Sequence, residues 1–592
     1  MFLATTKPST PYQYTLITNS QKLKAAIKPL LQAPVIGLDT ETTGLDPHSS
    51  KLRLIQVAAP GLPVALVDVT ALTPQELNPL KQLLWGNAIK IFHNAKFDWQ
   101  FLVLNGLRPS GPLFDTQLAF LVLLAGLNKN HSLQALARTL LGVELDKTEQ
   151  KSNYRSELTP SQLRYAATDA AILLELYPIL SRKLKAAKLT DIAEIEFSAL
   201  PKVAEMELNG MLLDADKMAA LLQELVTKKQ QYLEALRTTL KPRFSQLSLL
   251  PEITDVINPE SPAQVLEALQ AIGIPINSTE KKVLIPLQSE YPIIKTLLEY
   301  RKCSKLISTF VEGLPAHINP RTGRIHPSYR QCSTKSGRFS CRNPNLQNIP
   351  RDKSIRSCFI ARPGYAIIRA DYSQIELRIV AKLSGDRRMR QAYLNGEDLH
   401  TLTASLITGK PIEAIASEDR RMAKAINFGL IYGMGPSKLK VYAETEYGVT
   451  MTLKQATLFR RRFFTAYSDL KEWHSEIKST VYATNKREIR TLAGRRRRWS
   501  TNPPLSELYN HPVQGSCADF LKVALGKLHA ALDGTDAELI GTVHDEIILE
   551  CPSERVDLVS RILQECMLSP AATALQPIPV EVEIKVGNSW GD

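Results

Sequence analysis

Short apolar runs alternate with helical patterns from residue 14 to about residue 190. Four of the runs are predicted strands: VIGLDTE, LIQVAA, VALVDV and IKIFHN. Strands that alternate with helices are typical of an α/β domain, because each helix packs its apolar face on a sheet. From about 195 to 330 the pattern is mainly helical, and after 360 strands and helices are mixed. The pattern predicts a multidomain α/β and α+β protein with a boundary near residue 190.

The chain of 592 residues is long enough for about three to five domains. It contains 73 Lys and Arg against 59 Asp and Glu, a formal net charge of +14. A charge of this sign and size favours an anionic partner, nucleic acid first, and a merely basic protein is the alternative.

The cysteines and the apolar runs indicate where the protein works. None of the seven cysteines forms a CxxC pair, and the first 300 residues contain no cysteine. This distribution argues against a disulfide scaffold and against a zinc ribbon. No run of 18 apolar residues occurs, and the N-terminus lacks the apolar core of a signal peptide. We therefore expect a cytoplasmic protein with no membrane partner.

Acidic residues follow the predicted secondary structure of the first region at three places. Asp39 and Glu41 end the strand VIGLDTE and face the same way, because strand side chains alternate. Asp98 ends FHNAKFD, and Tyr165 and Asp169 lie one helical turn apart in YAATD. Two carboxylates at a strand end can bind a hard divalent cation. Each feature alone is more often an ordinary surface group, but their joint occurrence is less expected by chance.

A second acidic set lies in the last third of the chain. Asp371 ends the predicted strand YAIIRADYS, and Ser373 and Glu376 fit an S-x-x-E capping box for the next helix. AELIGTV and IILEC flank the tripeptide HDE at 544–546 and predict a β-hairpin. Adjacent like charges at its tip are costly unless a cation or solvent offsets them. A solvated tip is the alternative interpretation.

A helix with a basic and aromatic stripe lies between these segments. In SEDRRMAKAINFGLIYG, every fourth residue from Arg420 is basic or aromatic, through Lys424 and Phe428 to Tyr432. This spacing predicts one stripe of a helix, with the cations at the N-terminal end, where the helix dipole also favours anions. The stripe could bind a triphosphate at one end and a base at the other. An amphipathic core helix with a basic edge is the alternative.

The motifs of the first region resemble those of a known family. DTE, HNAKFD and YAATD, with QKSNY before the last, resemble the DEDD-type 3′→5′ exonucleases that carry Tyr in the third motif. The resemblance covers about residues 14 to 185 and implies a ribonuclease-H-like fold. It also implies that Tyr165 positions the attacking water and that two metal ions are held by four carboxylates: Asp39, Glu41, Asp98 and Asp169.

The motifs of the second region resemble those of another family. DYSQIELR, RRMAKAINFGLIYG and VHDE are similar to the three motifs of the family A, bacterial DNA polymerase I-like, DNA polymerases. The resemblance covers about residues 195 to 592 and implies a right-hand fold. The predicted division is an exonuclease domain at 1–190 and a polymerase domain at 191–592, with a thumb at about 195–335, a palm at about 336–385 and 500–592, and fingers at about 386–499.

The resemblance implies roles for individual residues of the polymerase domain. Asp371 and Asp545 would hold two Mg²⁺ ions, which Mn²⁺ can replace, with Glu546 beside them. Glu376 would exclude a ribose 2′-OH. The incoming nucleotide would be bound by Arg420, Lys424, His400, Phe428 and Tyr432. The DNA would be contacted by Arg338, Gln514 and His544 at the primer terminus and by Asn510 near the templating base.

Two points stay open on the DNA side. Arg495 to Arg498 could bind template phosphates, and a solvated arginine cluster is an equal alternative. Ser506 stands where bacterial relatives often have Arg, so a template contact is expected to be missing or replaced.

Only about a dozen residues precede the exonuclease region, which leaves no room for a 5′-nuclease domain and resembles a phage-type layout.

The resulting hypothesis is a monomeric, template-directed DNA polymerase with a 3′→5′ proofreading exonuclease, acting in replication or repair. Its expected partners are primer-template DNA, dNTPs and a helicase, primase or single-strand-binding protein, in the bacterial nucleoid or a phage-infected host cytoplasm. One alternative is an exonuclease with an inert DNA-binding module. The other is an architectural DNA-binding protein, which does not explain two sets of clustered carboxylates.

Overall fold

The computed structural model describes residues 12–240, 257–483 and 487–592. Within these ranges the strands, numbered in chain order, are β1 (Tyr14–Ile17), β2 (Val35–Thr42), β3 (Leu52–Ala58), β4 (Val64–Asp68), β5 (Ile89–Phe92), β6 (Leu113–Asp115), β7 (Met211–Leu212), β8 (Arg324–Ile325), β9 (Ser328–Arg330), β10 (Ser340–Arg342), β11 (Tyr365–Tyr372), β12 (Glu488–Arg490), β13 (Arg496–Arg498), β14 (Glu538–Val543), β15 (Glu546–Pro552) and β16 (Val582–Gly587).

The helices carry most of the remaining described chain. In order they are α1 (Ser20–Leu30), α2 (Asn78–Trp85), α3 (Ala95–Leu104), α4 (Thr116–Leu124), α5 (Leu133–Leu141), α6 (Pro160–Ala186), α7 (Thr190–Asn209), α8 (Ala215–Thr239), α9 (Pro262–Ala271), α10 (Lys281–Leu284), α11 (Pro292–Leu306), α12 (Lys353–Arg356), α13 (Ile375–Ser384), α14 (Arg387–Leu394), α15 (Leu399–Thr408), α16 (Ser417–Leu430), α17 (Pro436–Tyr447), α18 (Leu453–Ala466), α19 (Ser468–Ala483), α20 (Leu505–Ala531) and α21 (Val556–Leu575).

The first region folds around one six-stranded sheet, in the order β1-β4-β3-β2-β5-β6. β2, β3 and β4 are antiparallel neighbours, and β5 and β6 run parallel to β2. The predicted α/β alternation is confirmed, and this mixed order is that of the ribonuclease-H-like fold. α6 packs closely on β2, because a Cβ at Gly37 would lie 2.4 Å from the carbonyl oxygen of Ala170. The glycine of VIGLDTE thus brings the strand and helix that carry Asp39 and Asp169 together.

α7 joins this region to the rest of the chain. Only residues 187–189 separate it from α6. It packs against α3 on one side and against α20 and β14 on the other. Its apolar residues are divided between the two main cores, since Phe197 and Leu200 belong to the first and Val203 and Met206 to the second.

A four-stranded antiparallel sheet, in the order β14-β15-β11-β16, forms the centre of the C-terminal region. α21 packs on this sheet, α13 and α20 pack against α21, and α7 contacts β14. β14 and β15 form the predicted hairpin, whose two-residue tip contains His544 in the left-handed conformation (φ 60°). Asp371 at the end of β11 pairs in register with Glu546 at the start of β15. Residues in register on antiparallel strands share a face, so the sheet brings the second acidic set together.

Two local predictions are wrong. The N-cap of α13 is Gln374 in the left-handed conformation (φ 50°), without a side-chain cap, so Ser373 and Glu376 form no capping box. The chain turns sharply after Asp371, and Glu376 bonds with more distant residues instead. α16 ends at Leu430, so Tyr432 lies in the turn beyond it and only the three earlier residues of the stripe are helical.

No helix in the described parts of the chain combines the length and the apolar character that crossing a bilayer requires.

Candidate active sites

The acidic residues of the first region converge on one cavity of about 300 Å³. Asp39 and Glu41 extend from β2, Asp98 from the first turn of α3, and Tyr165 and Asp169 from α6. All five line the cavity. Thr40 Oγ1 donates a 2.6 Å hydrogen bond to Asp98 Oδ1, which fixes this buried carboxylate beside β2. We name these five residues the exonuclease cluster, after the resemblance of their motifs.

The carboxylates of the exonuclease cluster repel one another. Burial, followed by the charges of Asp98, Glu41 and Asp169, raises the pKa of Asp39 well above its ordinary value. Burial is also the main cause that raises the pKa of Glu41 to about 8, of Asp98 to about 7 and of Asp169 to about 6. A hard cation would relieve this repulsion, and oxygen donors are its preferred ligands.

The positions of the carboxylates do not by themselves indicate a metal site, in contrast to their charges. No three His, Cys, Asp or Glu side chains within the described ranges are grouped around a point where they could hold one metal ion. Metal binding by the exonuclease cluster therefore stays a prediction from its donor chemistry and charge.

Two residues that interact with the exonuclease cluster were missed at the sequence level, Lys147 in the cavity wall and Tyr154 beside Glu41. The positive charge of Lys147 lowers the pKa of Asp169 against the effect of burial. Tyr154 is buried, and its burial and the neighbouring Glu41 raise the pKa of its hydroxyl. Tyr154 stands in QKSNY, a segment that the exonuclease resemblance already includes, so the signal was present but had no assigned role.

We expect the metal-free protein to lose thermal stability between about pH 7 and 8, by about 2 °C in Tm. The folded-state pKa of Glu41, about 8, lies above its ordinary value, as does that of Asp98 at about 7. A carboxyl group whose pKa is higher in the folded protein than in the unfolded chain stabilises the fold at low pH. This contribution is lost as the pH rises to the pKa of the folded protein. Buried His93 and His511 have lowered pKa values of about 3 and act oppositely, but only below about pH 7. Burial lowers the pKa of Lys90 to about 8, and this lysine acts oppositely mainly above pH 8.

Differential scanning calorimetry in EDTA across this range checks the expected loss. Glu41→Gln should flatten the slope, because it removes the group that titrates within the window. Mg²⁺ should raise Tm most at the upper end of the range. A Tm that is constant or rises from pH 7 to 8 without metal would contradict the prediction.

The second acidic set lies at the end of the C-terminal sheet. Burial, Asp545 and Glu546, in that order, raise the pKa of Asp371 to about 7. Burial also raises the pKa of Asp545, although the charge of Arg338 opposes it. Asp371 Oδ1 is buried and has no hydrogen-bond partner among the described residues. Two neighbouring carboxylates are thus held in an environment that favours a cation between them. We name Asp371 and Asp545 the polymerase pair.

Glu546 differs from the polymerase pair because arginines neutralise it. Its carboxylate lies 3.4 Å from Arg356 Nη1 and 3.7 Å from Arg369 Nη1. Arg351 was also missed at the sequence level, and its charge lowers the pKa of Asp371 against the larger effect of burial. The structure thus brings Glu546 to the site but surrounds it with cations.

Glu376 joins three separate sequence motifs. Arg338 Nη2 donates a 2.7 Å hydrogen bond to Glu376 Oε1, and the Tyr432 hydroxyl donates to Glu376 Oε2. The three residues come from SGRFS, DYSQIELR and the turn after α16. We name them the Glu376 triad. Because both carboxylate oxygens are occupied, the side chain of Glu376 is held in one orientation.

The basic stripe of α16 is partly engaged. Arg420 donates two hydrogen bonds to Asp398, of 2.8 Å from Nε and 3.1 Å from Nη2. Lys424 is exposed. His400 is buried, and its Nδ1 accepts a 2.9 Å hydrogen bond from Asn427 Nδ2. Its ring lies 5.9 Å from the ring of Phe428. Burial lowers the pKa of His400 to about 4, so the ring is neutral at pH 7.

Asn510 and Gln514 line a shared cavity of about 400 Å³, together with Ser506. His544 is exposed at the tip of the β14–β15 hairpin and does not line this cavity. Although part of the residue is exposed, desolvation of the His544 ring, followed by the charge of Arg338, lowers its pKa. Asn510 and Gln514 thus share one cavity, and His544 lies outside it, near enough to Arg338 to feel its charge.

Residues 495–498 were expected either to bind template phosphates or to form a solvated arginine cluster. For two of these arginines, both expectations are wrong. Arg495 is 5% exposed and pairs with Asp519 through a 2.6 Å bond from Nε. Arg497 is 4% exposed and donates a 2.6 Å bond to the carbonyl oxygen of Gly126 in the first region. On the same hairpin, Arg490 donates to the carbonyl of Ala187 at 2.9 Å. Arg490 and Arg497 thus connect the two regions, and the buried Arg495 and Arg497 are neither solvated nor free for phosphates.

Comparison with family models gives two matches that together cover most of the chain. The model described as DNA polymerase family A matches residues 229–592. The model described as 3′-5′ exonuclease matches residues 14–185.

Similar curated proteins carry the name DNA polymerase I. The relative from Aquifex aeolicus is 35% identical over 98% of this chain and 99% of its own length. The relative from Chloroflexus aurantiacus is 31% identical over 98% of this chain, which spans only 64% of that protein. The thermostable DNA polymerase I of Thermus aquaticus is 36% identical over 67% of this chain and 48% of its own length.

Among solved structures, one similar chain is the POL domain of Pol1 from M. smegmatis, in complex with DNA primer-template and dNTP. It superimposes with a TM-score of 0.81 at 25% identity, over 97% of this chain and 99% of that one.

Proposed function

This chain belongs to DNA polymerase family A, and from that premise we propose how its acidic clusters divide two reactions. The protein is a template-directed DNA polymerase with a 3′→5′ exonuclease domain ahead of the polymerase domain. The polymerase pair serves nucleotide addition, and the exonuclease cluster serves removal of the primer's last nucleotide. The observation that carries this division is the presence of two separate sets of buried, mutually repelling carboxylates.

Both domains are of kinds that generally use divalent metal ions. The donor sets fit Mg²⁺, because they consist of carboxylate oxygens and Asp371 Oδ1 lacks any other partner within the described chain. Asp371 and Asp545 would hold two ions, and the exonuclease carboxylates would hold two more, with Mn²⁺ as a possible substitute in either place. When bound, such ions neutralise charge on the attacking and leaving oxygens of a phosphodiester.

The chain's own residues orient the polymerase substrates. Arg420, Lys424 and His400 bind the triphosphate, so Arg420 exchanges the carboxylate of Asp398 for phosphate oxygens. Phe428 packs against the sugar and base. Tyr432 packs there too, in the orientation that its bond to Glu376 sets. The primer 3′-OH then attacks the α-phosphate and pyrophosphate leaves, a reaction in which positioning contributes much of the rate.

The DNA duplex is bound by residues of the C-terminal region. Arg338, Gln514 and His544 contact the primer terminus, and Asn510 lies near the templating base. Support comes from the M. smegmatis neighbour, which is described as holding primer-template DNA and dNTP. The subdomain boundaries given above, the bacterial or phage-infected cytoplasm, the monomeric state and the helicase, primase or single-strand-binding partners stay predictions.

At the exonuclease cluster, Tyr165 orients the attacking water beside Asp169. The two lie one turn apart on α6, and the charge of Asp169 follows burial in raising the pKa of the Tyr165 hydroxyl. The hydroxyl therefore stays protonated at pH 7 and acts as a hydrogen-bond group rather than as a base.

The test is extension of a labelled primer on templates of known sequence, with Mg²⁺ and with or without dNTPs. We expect extension that follows the template when dNTPs are present, shortening of the primer when they are absent, and neither in EDTA. A wild-type protein that only shortens the primer would refute the polymerase role and leave the exonuclease with a DNA-binding module as the explanation.

Glu376→Ala is expected to raise ribonucleotide use relative to deoxyribonucleotide use by roughly tenfold to a hundredfold. The substitution removes the side chain that the triad holds against the position of the 2′-OH. The ratio of kcat/KM for rNTP and dNTP measures the change. Glu376→Gln is the matched control, since it keeps the volume and should keep most of the exclusion. An unchanged ratio in Glu376→Ala would contradict the assignment.

A further inference from the structure

A buried ion network lies between α7, the hairpin β12–β13 and α20. It consists of Glu196, Arg495, Asp519 and Lys522, none more than 5% exposed. Arg495 Nη2 lies 2.6 Å from Glu196 Oε1, and Lys522 Nζ lies 2.6 Å from the same oxygen. Although burial alone would raise it, the pKa of Glu196 is lowered to about 2 by Lys522 and Arg495. Glu196 and Arg495, whose pKa the neighbouring carboxylates raise, are therefore both charged at pH 7.

The network contacts the loop that carries Arg338 on both sides of that residue. Lys522 Nζ donates a 2.6 Å bond to the carbonyl oxygen of Gly337, and it lies 5.2 Å from the ring centre of Phe339. Gly337 has φ +87°, and a Cβ there would lie 2.8 Å from Arg495 Cδ. The backbone before Arg338 is thus held between Lys522 and Arg495.

Stability alone does not account for such a network. A buried ion network often contributes little net stability compared with apolar residues of the same volume, because removing charges from water is costly. What this network does is fix a backbone position from which Arg338 reaches Glu376 at 2.7 Å. Because Glu196 lies on α7, the same network connects that position to the helix that joins the two domains.

We infer that Lys522 is a positioning residue for Arg338, and that it sets how strictly the polymerase site distinguishes a matched from a mismatched primer terminus. The inference rests on the proposed role of Arg338 at the primer terminus. Lys522 touches neither the polymerase pair nor the Glu376 triad in the described contacts, so it acts through the backbone of Gly337. Without Lys522, the backbone from which Arg338 extends would no longer be fixed, although Arg338 would keep its charge.

The experiment compares Lys522→Met, Arg338→Ala and the double variant in full-length protein that also carries Asp39→Asn, so that mismatched primers are not removed. Single-nucleotide incorporation is measured on matched and mismatched primers, with kcat and KM determined separately. We expect Lys522→Met to lower kcat on matched primers about tenfold, to change KM for dNTP less than twofold and to lower the ratio of matched to mismatched extension. The double variant should lose no more than Arg338→Ala, because residues that act through one another are not additive.

The controls separate positioning from general damage. Lys90→Met is matched, because Lys90 is also a buried lysine bonded to backbone carbonyls, at 2.6 Å from that of Ser110, but lies far from Arg338 in the first domain. It should leave the ratio unchanged, whereas Lys522→Arg should restore part of it. If Lys522→Met does not fold, as judged by near-ultraviolet circular dichroism, Gly337→Ala displaces the same backbone and gives the same comparison.

The outcomes distinguish the inference from the proposed function. If Arg338→Ala extends both primers as the parent does, the role of Arg338 at the terminus is wrong. If Arg338→Ala lowers the ratio but Lys522→Met does not, or if the two losses multiply in the double variant, the positioning role of Lys522 is overturned.

Discussion

Asp545→Asn is expected to lower primer extension by roughly a thousandfold or more, while the same protein shortens primers at the wild-type rate. Asparagine keeps the size of the side chain but removes the charge that, with Asp371, attracts a divalent cation. Because burial raises the pKa of Asp545, its negative charge is costly in the folded protein, and the neutral variant should fold as well as the wild type. Primer extension at saturating dNTP, with shortening assayed in parallel, measures both activities.

Asp536→Asn is the matched control for that variant. Asp536 precedes the same β14–β15 hairpin, but its exposed side chain forms an ion pair of 3.0 Å with Arg555. An exposed pair of this kind contributes little, so extension should be unchanged. Extension by Asp545→Asn within tenfold of the wild type would show that the polymerase pair does not carry the reaction.

The second large effect is expected from Asp98→Asn, which should lower primer shortening by roughly a thousandfold or more without reducing extension. The bond from Thr40 Oγ1 can still be accepted by the amide oxygen, so the local structure is retained. The variant also removes one charge from the repelling exonuclease cluster. We therefore expect its Tm in EDTA at pH 8 to equal or exceed that of the wild type.

If Asp98→Asn no longer shortens primers but keeps the Tm of the wild type, the defect is catalytic and is not caused by unfolding. Asp191→Asn provides the control, because Asp191 is an exposed residue in the first turn of α7, outside the cavity. Copying errors should also rise in Asp98→Asn, measured by sequencing of extension products. If shortening persists in Asp98→Asn, the exonuclease cluster is not the site of hydrolysis.

The elements that position both acidic sets could be predicted from the sequence. Apolar strand runs that end in acidic residues, such as VIGLDTE and YAIIRADYS, are local signals, and the structure forms β2 and β11 there. The β14–β15 hairpin follows from the same kind of signal, two apolar runs about a short polar tip. Which strands become neighbours is not local, and there the family resemblances supplied the expectation.

The wrong predictions have a common physical reason. Ser373 and Glu376 match a capping box, but tertiary partners at Arg338 and Tyr432 engage Glu376 more strongly than a local cap would. Likewise, a run of arginines gives no indication of which members will be buried. Arg495 and Arg497 are buried because acceptors from distant parts of the chain, Asp519 and the carbonyl of Gly126, surround them. Spacing along the sequence carries no information about such partners.

The short connection between the domains affects how primer extension and exonuclease removal compete for the primer end. Residues 187–189 are the whole connection between α6 and α7, and Arg490 binds the carbonyls of Ala187 and Lys188. With the joint held in this way, we expect neither domain to swing far enough to bring its catalytic residues to a stationary primer end. The DNA itself must cross, after its last base pairs melt. A terminus that frays easily, as a mismatched one does, is then removed more often, so melting of the duplex adds its own selectivity to that of Arg338 at the polymerase site.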